Sequence, residues 1–198
     1  MAYNLLLNNK VFHFAESGLP CLVHYKNKTG GSHFTVTLVA DMFLRGSKIL
    51  FLTAYPMAKD NFFEQTKGKE SKIFFVETKD DFKKAKEYQA IILKSGDGNL
   101  YLEALKSLPD LNERVVLVKN FEVFDKNILD ESLKLEKIIV SGDIDKSSSK
   151  KLIADKLYKT IISFSQPETS VSFITPALLK YTGYLKTADK EGFVKLEM

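Results

Sequence analysis

Apolar residues fall in short runs, most of them followed within a few positions by Gly, Pro, Asn, Asp or Ser. Leu19, Cys21, Leu22 and Val23 lie around Pro20 and read as a core strand ending near Tyr25. Phe34, Leu38, Val39, Met42 and Phe43 recur at helical spacing, and Gly46 stands where a helix C-cap is expected. Residues 48–54 are almost continuously apolar, which suits a strand buried on both faces of a parallel sheet. The alternation then repeats. Pro56 opens a helix, 73–76 is a strand, 79–88 a short helix, 90–93 a strand, and 98–108 a helix closed by Pro109. Strands follow at 115–118 and 138–140, then a helix over 147–157 with Ser147 as its N-cap, and a strand at 161–164. Residues 181–186 and 193–196 flank Asp189, Lys190 and Gly192, so the chain is expected to close with an antiparallel hairpin. At the other end, Leu5, Leu6, Leu7, Val11, Phe12 and Phe14 are read as the apolar face of a helix or helix-turn over 3–16. The expected organisation is an N-terminal helical segment, 1–18, packed on an α/β domain, 19–198. Strands alternating with helices predict a three-layer αβα sandwich with a mostly parallel sheet.

Composition narrows the class without naming a chemistry. With 198 residues, 44% hydrophobic and 27% charged, the chain suits one globular domain with a substantial core. No apolar stretch is long enough to span a bilayer, and residues 4–14 lack a signal peptide's apolar core and cleavage site, so no membrane partner is expected. The one cysteine, Cys21, lies in an expected buried strand; this excludes an internal disulfide and suits a reducing, cytoplasmic setting. The net charge is +4, but Arg45 and Arg114 are the only arginines among 29 basic residues. Arginine is the usual choice for bidentate phosphate and base contacts, so a nucleic-acid partner finds weak support.

The segment 25–32 carries the most specific signal. It reads Tyr25-Lys26-Asn27-Lys28-Thr29-Gly30-Gly31-Ser32, between a strand and a helix. Against the phosphate-loop pattern G-x-x-x-x-G-K-[ST], Gly30 and Ser32 match, Tyr25 replaces the first glycine and Gly31 replaces the lysine. With Arg45-Gly46 closing the helix before the next strand, and with the terminal hairpin, the chain resembles a degenerate RecA/KaiC-like P-loop ATPase. The order of elements carries the resemblance over 19–196. It is concentrated in 19–54 and 115–120. In that family a Walker B strand ends in a Mg2+-binding Asp; here Val115-Val116-Leu117-Val118 runs into Lys119-Asn120, and the nearest acid is Glu122. The second strand, which commonly ends near a catalytic Glu, ends here in Thr53-Ala54-Tyr55. The Lys28-Thr29-Gly30-Gly31-Ser32 run also resembles loops in the RecA-fold subunits of Elongator, which keep the fold for assembly rather than hydrolysis.

Phosphoryl transfer is mostly positioning and charge neutralisation, so the missing lysine and acid argue against hydrolysis by the usual machinery. The resemblance therefore implies a pseudo-ATPase with no catalytic residues, serving as a binding or assembly subunit, self-associated or beside a protein partner. No cofactor is expected beyond weak ATP or ADP binding. Backbone N–H groups at Gly30, Gly31 and Ser32 could hold an anion, with Lys26 and Lys28 supplying charge; a plain Gly-Gly turn with solvated lysines is the competing reading. An atypical NTPase or nucleotide sensor using Lys26 or Lys28 is a second alternative, and a DNA- or RNA-associated accessory protein a third. His13, His24 and His33 lack metal-ligand spacing, and no metal site is expected. No G-x-S-x-G elbow is present. Ser95-Gly96-Asp97-Gly98 and Ser141-Gly142-Asp143 read as acidic turns at strand ends. Phe121 and Phe124, if exposed, would mark a partner surface.

Overall fold

A computed structural model describes residues 4–166 and 181–197. Its centre is a sheet of 11 strands among the described residues. The parallel core contains β3 (Cys21–His24), β4 (Ile49–Thr53), β5 (Ile73–Val76), β6 (Ala90–Leu93), β7 (Val115–Lys119), β8 (Ile138–Gly142) and β9 (Thr160–Ser163). At one side it continues antiparallel through β10 (Gly183–Thr187), β11 (Glu191–Glu197), β1 (Asn4–Leu7) and β2 (Lys10–Val11). The spatial order is β2-β1-β11-β10-β9-β3-β8-β7-β4-β6-β5. The α/β sandwich with a mostly parallel sheet and a closing antiparallel hairpin is thus as the pattern predicts.

Two apolar layers flank the sheet because successive strand residues point to opposite faces. On one face, α1 (Gly31–Leu44) and α2 (Pro56–Gln65) bury Phe34, Leu38, Phe43 and Phe62 against Val23, Ile49, Phe51 and Leu117. On the other lie α3 (Phe82–Ala85), α4 (Gly98–Ser107), α5 (Lys126–Leu133) and α6 (Lys150–Asp155). They cover Leu22, Leu50, Val116, Val118 and Val140. Strands buried on both faces explain why the runs in β4 and β7 have no polar alternation.

Several expectations are corrected. The segment read as helical over 3–16 forms β1 and β2, whose register pairs Leu6 with Val11 and Leu7 with Lys10; residues 1–3 lie outside the described chain. Asn8 and Asn9 have φ of 50° and 63°, the two left-handed residues of a type I′ hairpin turn. Leu5, Leu6 and Leu7 are consecutive, and a consecutive run carries neither helical nor strand period. Phe121 and Phe124 do not form an exposed partner surface: both are buried with the α4–α5 layer, and Phe124 packs edge-on to Tyr101 at 5.4 Å. The helix expected over 147–157 is shortened to α6, after a 3-10 turn at Ile144–Lys146. Ser147 accepts the Ser149 N–H instead of capping a helix at its own position. The helix expected over 79–88 divides into a 3-10 turn, Lys79–Asp81, and the single turn α3. α5 is not among the elements that the apolar pattern predicts.

Candidate functional site

Strands β3, β8 and β7 lie side by side and parallel, so their C-terminal ends reach one edge together. The register sets His24 beside Gly142 and Ser141 beside Lys119. From this edge the chain leaves β3 through residues 25–30 and enters α1. The loop is tied at its start by the Lys26 N–H to Ser165 Oγ (3.2 Å) and internally by Thr29 Oγ1 donating to the Lys26 carbonyl (2.8 Å). Lys28 and Gly30 hold positive φ, 66° and 89°. Gly30 is the N-cap of α1 and supplies no side-chain cap; the Phe34 N–H bonds its carbonyl at 3.0 Å. The helix start thus presents the N–H groups of Gly31, Ser32 and His33, which have no i−4 partner within the helix. Gly31 must be glycine for a packing reason: a Cβ there would run into the Tyr25 side chain at its Cβ, Cγ and Cδ1.

Tyr25, in place of the pattern's first glycine, is buried beneath this helix start. Burial, reinforced by the nearby Glu122 charge, pushes its phenol well above the ordinary tyrosine range. The residue that reaches the loop from below is Lys119, at the end of β7 and 2% exposed. Its Nζ donates to Ser32 Oγ at 2.7 Å, Asn120 Oδ1 at 3.0 Å and the Tyr25 hydroxyl at 3.3 Å. These three neutral acceptors match the three donors of the ammonium. Burial pulls Lys119 down to about 8, and Glu122 opposes that fall. The Glu122 carboxylate is directed to the neighbouring turn, where Oε2 accepts the Asp143 N–H at 3.2 Å. It lies so close to Gly142 that a side chain there would displace it.

The structure brings Gly30, Gly31 and Ser32 together at the helix start. Lys26 and Lys28 are placed differently. The Lys26 ammonium lies 3.5 Å from Asp145 Oδ2, and Lys28 is exposed on its left-handed turn. Sequence reasoning missed Lys119 and Tyr25 as members of the site. The available signal was a lysine closing an otherwise apolar strand.

A P-loop NTPase fold implies a bound Mg2+, held by the loop hydroxyl and a strand-end carboxylate. The residues here do not fit it. Magnesium requires oxygen ligands in near-ideal octahedral geometry. Yet the Ser32 hydroxyl accepts from an ammonium, position 119 carries a cation in place of a carboxylate, and β4 ends at Thr53 and runs on into Ala54 and Tyr55 with no acid.

Beside the loop, His24, Asp143 and Asp145 bring one ligand atom each to within 4.8 Å of one another, a grouping that histidine spacing alone did not reveal. His24 Nδ1 accepts the Ile144 N–H at 3.3 Å and Nε2 lies 3.1 Å from Ser165 Oγ. Lys146 pairs with Asp143 at 3.6 Å, so one lysine stands against each carboxylate. Burial lowers the pKa of His24, against the pull of both acids. A separate cleft, lined by Phe12, Phe14, Tyr158 and Lys186, shares no residue with the loop.

A mostly parallel sheet between two helical layers, with a glycine loop leading from a central strand into a helix at the carboxyl edge, defines a P-loop NTPase-like fold. The chain is similar to the solved structure of the genome packaging NTPase B204 from Sulfolobus turreted icosahedral virus 2 in complex with AMPPCP, at 12% identity and TM-score 0.55. The match covers 90% of this chain and 95% of that one. The likeness is one of fold; it supports the P-loop class and does not single out the RecA/KaiC branch. No family profile matches the chain, and no curated protein does. Among the described residues, no helix is long and apolar enough to cross a membrane.

Proposed function

We propose that this protein is a P-loop-fold subunit that does not hydrolyse nucleotide by the usual machinery and acts through binding or assembly, with copies of itself or beside an active relative. The observation that carries this reading is the 2.7 Å bond between Lys119 Nζ and Ser32 Oγ. The loop hydroxyl is committed to a buried ammonium at the place where hydrolysis would need a metal. Lys26 lies against Asp145 and Lys28 is exposed, which weighs against either one as a stand-in for a loop lysine. The test is a titration with ATP, ADP and GTP, with and without Mg2+, alongside phosphate release and sedimentation equilibrium. The expected result is self-association without Mg2+-dependent turnover. Turnover above background that disappears in Lys26→Ala or Lys28→Ala would establish an atypical NTPase instead.

A second reading, an accessory role on nucleic acid, is favoured by the fold neighbour's description as a genome packaging NTPase. The net charge of +4 permits it, while the presence of only Arg45 and Arg114 as arginines weighs against it. Retention on a DNA or RNA oligonucleotide that falls with added salt would support this reading, and no retention at low salt would remove it.

A further inference from the structure

We propose that Lys119 is an internal replacement for the divalent cation of this fold: its ammonium occupies the metal position beneath the loop and keeps Mg2+ out. The inference deepens the reading of a non-hydrolysing subunit and rests on it for its biological meaning, but not for its geometry.

Three features argue for it. Lys119 stands at the end of β7, one strand removed from β3, and still reaches the first turn of α1 because β8 is the only strand between them. The ammonium is saturated by Ser32 Oγ, Asn120 Oδ1 and the Tyr25 hydroxyl, so it is anchored and not passing through a solvent channel. Its acceptors are all neutral. With no anion in contact and Glu122 acting only at longer range, the cation keeps much of its field and repels a second cation at close range, where the surrounding dielectric is low. A divalent ion would have to strip the same hydroxyl from Lys119 while sitting beside its positive charge.

The geometry also indicates how to reverse the device. An aspartate at 119 is shorter than lysine and leaves a gap below Ser32. A metal with bonds of about 2.1 Å to each oxygen could bridge that gap, completed by water. One substitution therefore replaces the internal cation with a ligand for an external one.

The experiment counts bound Mn2+ from the loss of the free-ion electron paramagnetic resonance signal, with metal alone and no nucleotide. Every protein compared carries Asp143→Asn, so that a cation held by His24, Asp143 and Asp145 does not enter the count. The chain with Lys119 intact is expected to bind no Mn2+ at the loop. Lys119→Asp is expected to gain one site, at least tenfold tighter than any residual binding, and to lose it again when Ser32→Ala is added. If Lys119→Asp unfolds, Lys119→Asn supplies a shorter neutral oxygen ligand at the same position, and a weaker gain, again dependent on Ser32, is expected. Mn2+ binding that requires Ser32 while Lys119 is present would overturn the proposal. A folded Lys119→Asp or Lys119→Asn protein with no gain would do the same. Because no nucleotide is added, turnover by the wild-type chain would overturn the proposed function and leave this result readable on its own terms.

Discussion

Strand β7 has a buried cation at each end, and the two are held by opposite means. Arg114, just before the strand, gives Nε and Nη2 to the two oxygens of Asp110 at 2.9 and 2.7 Å. Its remaining donors reach the carbonyls of Tyr88, Gln89 and Ile49 at 3.0, 3.2 and 3.4 Å. Among the described residues, Lys119 meets only neutral oxygens. The Arg114 guanidinium is neutralised in contact and ties the chain entering β4, β6 and β7 into one edge, which is structural work. Burial pushes Asp110 up, yet Arg114 and Lys48 prevail and hold it below the ordinary carboxylate range. Lys119 has no contacting counter-charge, and its pKa falls. A cation matched by a carboxylate is committed to the fold, whereas one surrounded by dipoles retains a field that acts on whatever approaches the loop.

The contrast breaks most sharply at Arg114. Arg114→Met is expected to cost about 2–3 kcal/mol in urea denaturation, because half-buried Asp110 keeps only Lys48 as a partner and the carbonyls of Tyr88, Gln89 and Ile49 each lose a charged donor. Arg114→Lys should not restore this loss, since an ammonium cannot reproduce the bidentate fork. Lys119→Met should be near neutral or stabilising by comparison, because a buried charge without a counter-ion gives way to an apolar stem. Equal losses at the two sites would dissolve the distinction.

Titration is the next measure. Below pH 8 the folded and unfolded chains both carry the Lys119 proton. Between about 8 and the ordinary 10.5, the folded lysine has released its proton while the unfolded one keeps it. The unfolded state then binds more protons, so stability rises with pH through that window. The rise amounts to about 1.4 kcal/mol for each unit of separation between the two pKa values. It should be reduced in Lys119→Met; an unchanged slope would mean that another group supplies it.

Smaller effects test how the loop holds its cation. Gly31→Ala should destabilise by about 1–3 kcal/mol as the new methyl meets Tyr25 and forces the loop away from the ammonium. Ser32→Ala should cost about 1 kcal/mol by removing one acceptor. It should also lower the Lys119 pKa further, so that the rise in stability starts at lower pH.

The parallel core was legible because its strands are buried on both faces, leaving unbroken runs such as Val115-Val116-Leu117-Val118. The N-terminal strands were misread because Leu5, Leu6 and Leu7 show no period, although Asn8-Asn9 was a turn signal. Helix α5 was overlooked although Ile128, Leu129, Ser132 and Leu133 fall at helical spacing. In the loop, Gly30 and Ser32 stand out by their match to a pattern, Gly31 by its place between them, and Lys26 and Lys28 by their closeness in sequence. Lys119 escaped because it is 87 residues from the hydroxyl it bonds.

By itself the sequence determined the alternation of strand and helix, the glycine loop at a helix start, and the absence of a lysine beside Gly30 and Ser32 and of an acid directly after residues 115–118. Those features are written in local composition and short spacing, where chain neighbours dictate the chemistry. Which cation serves the loop was decided only by the tertiary structure. Parallel register brings Lys119 and Ser32 to one edge, where the lysine is buried among neutral acceptors with no carboxylate in contact, and that burial lowers its pKa.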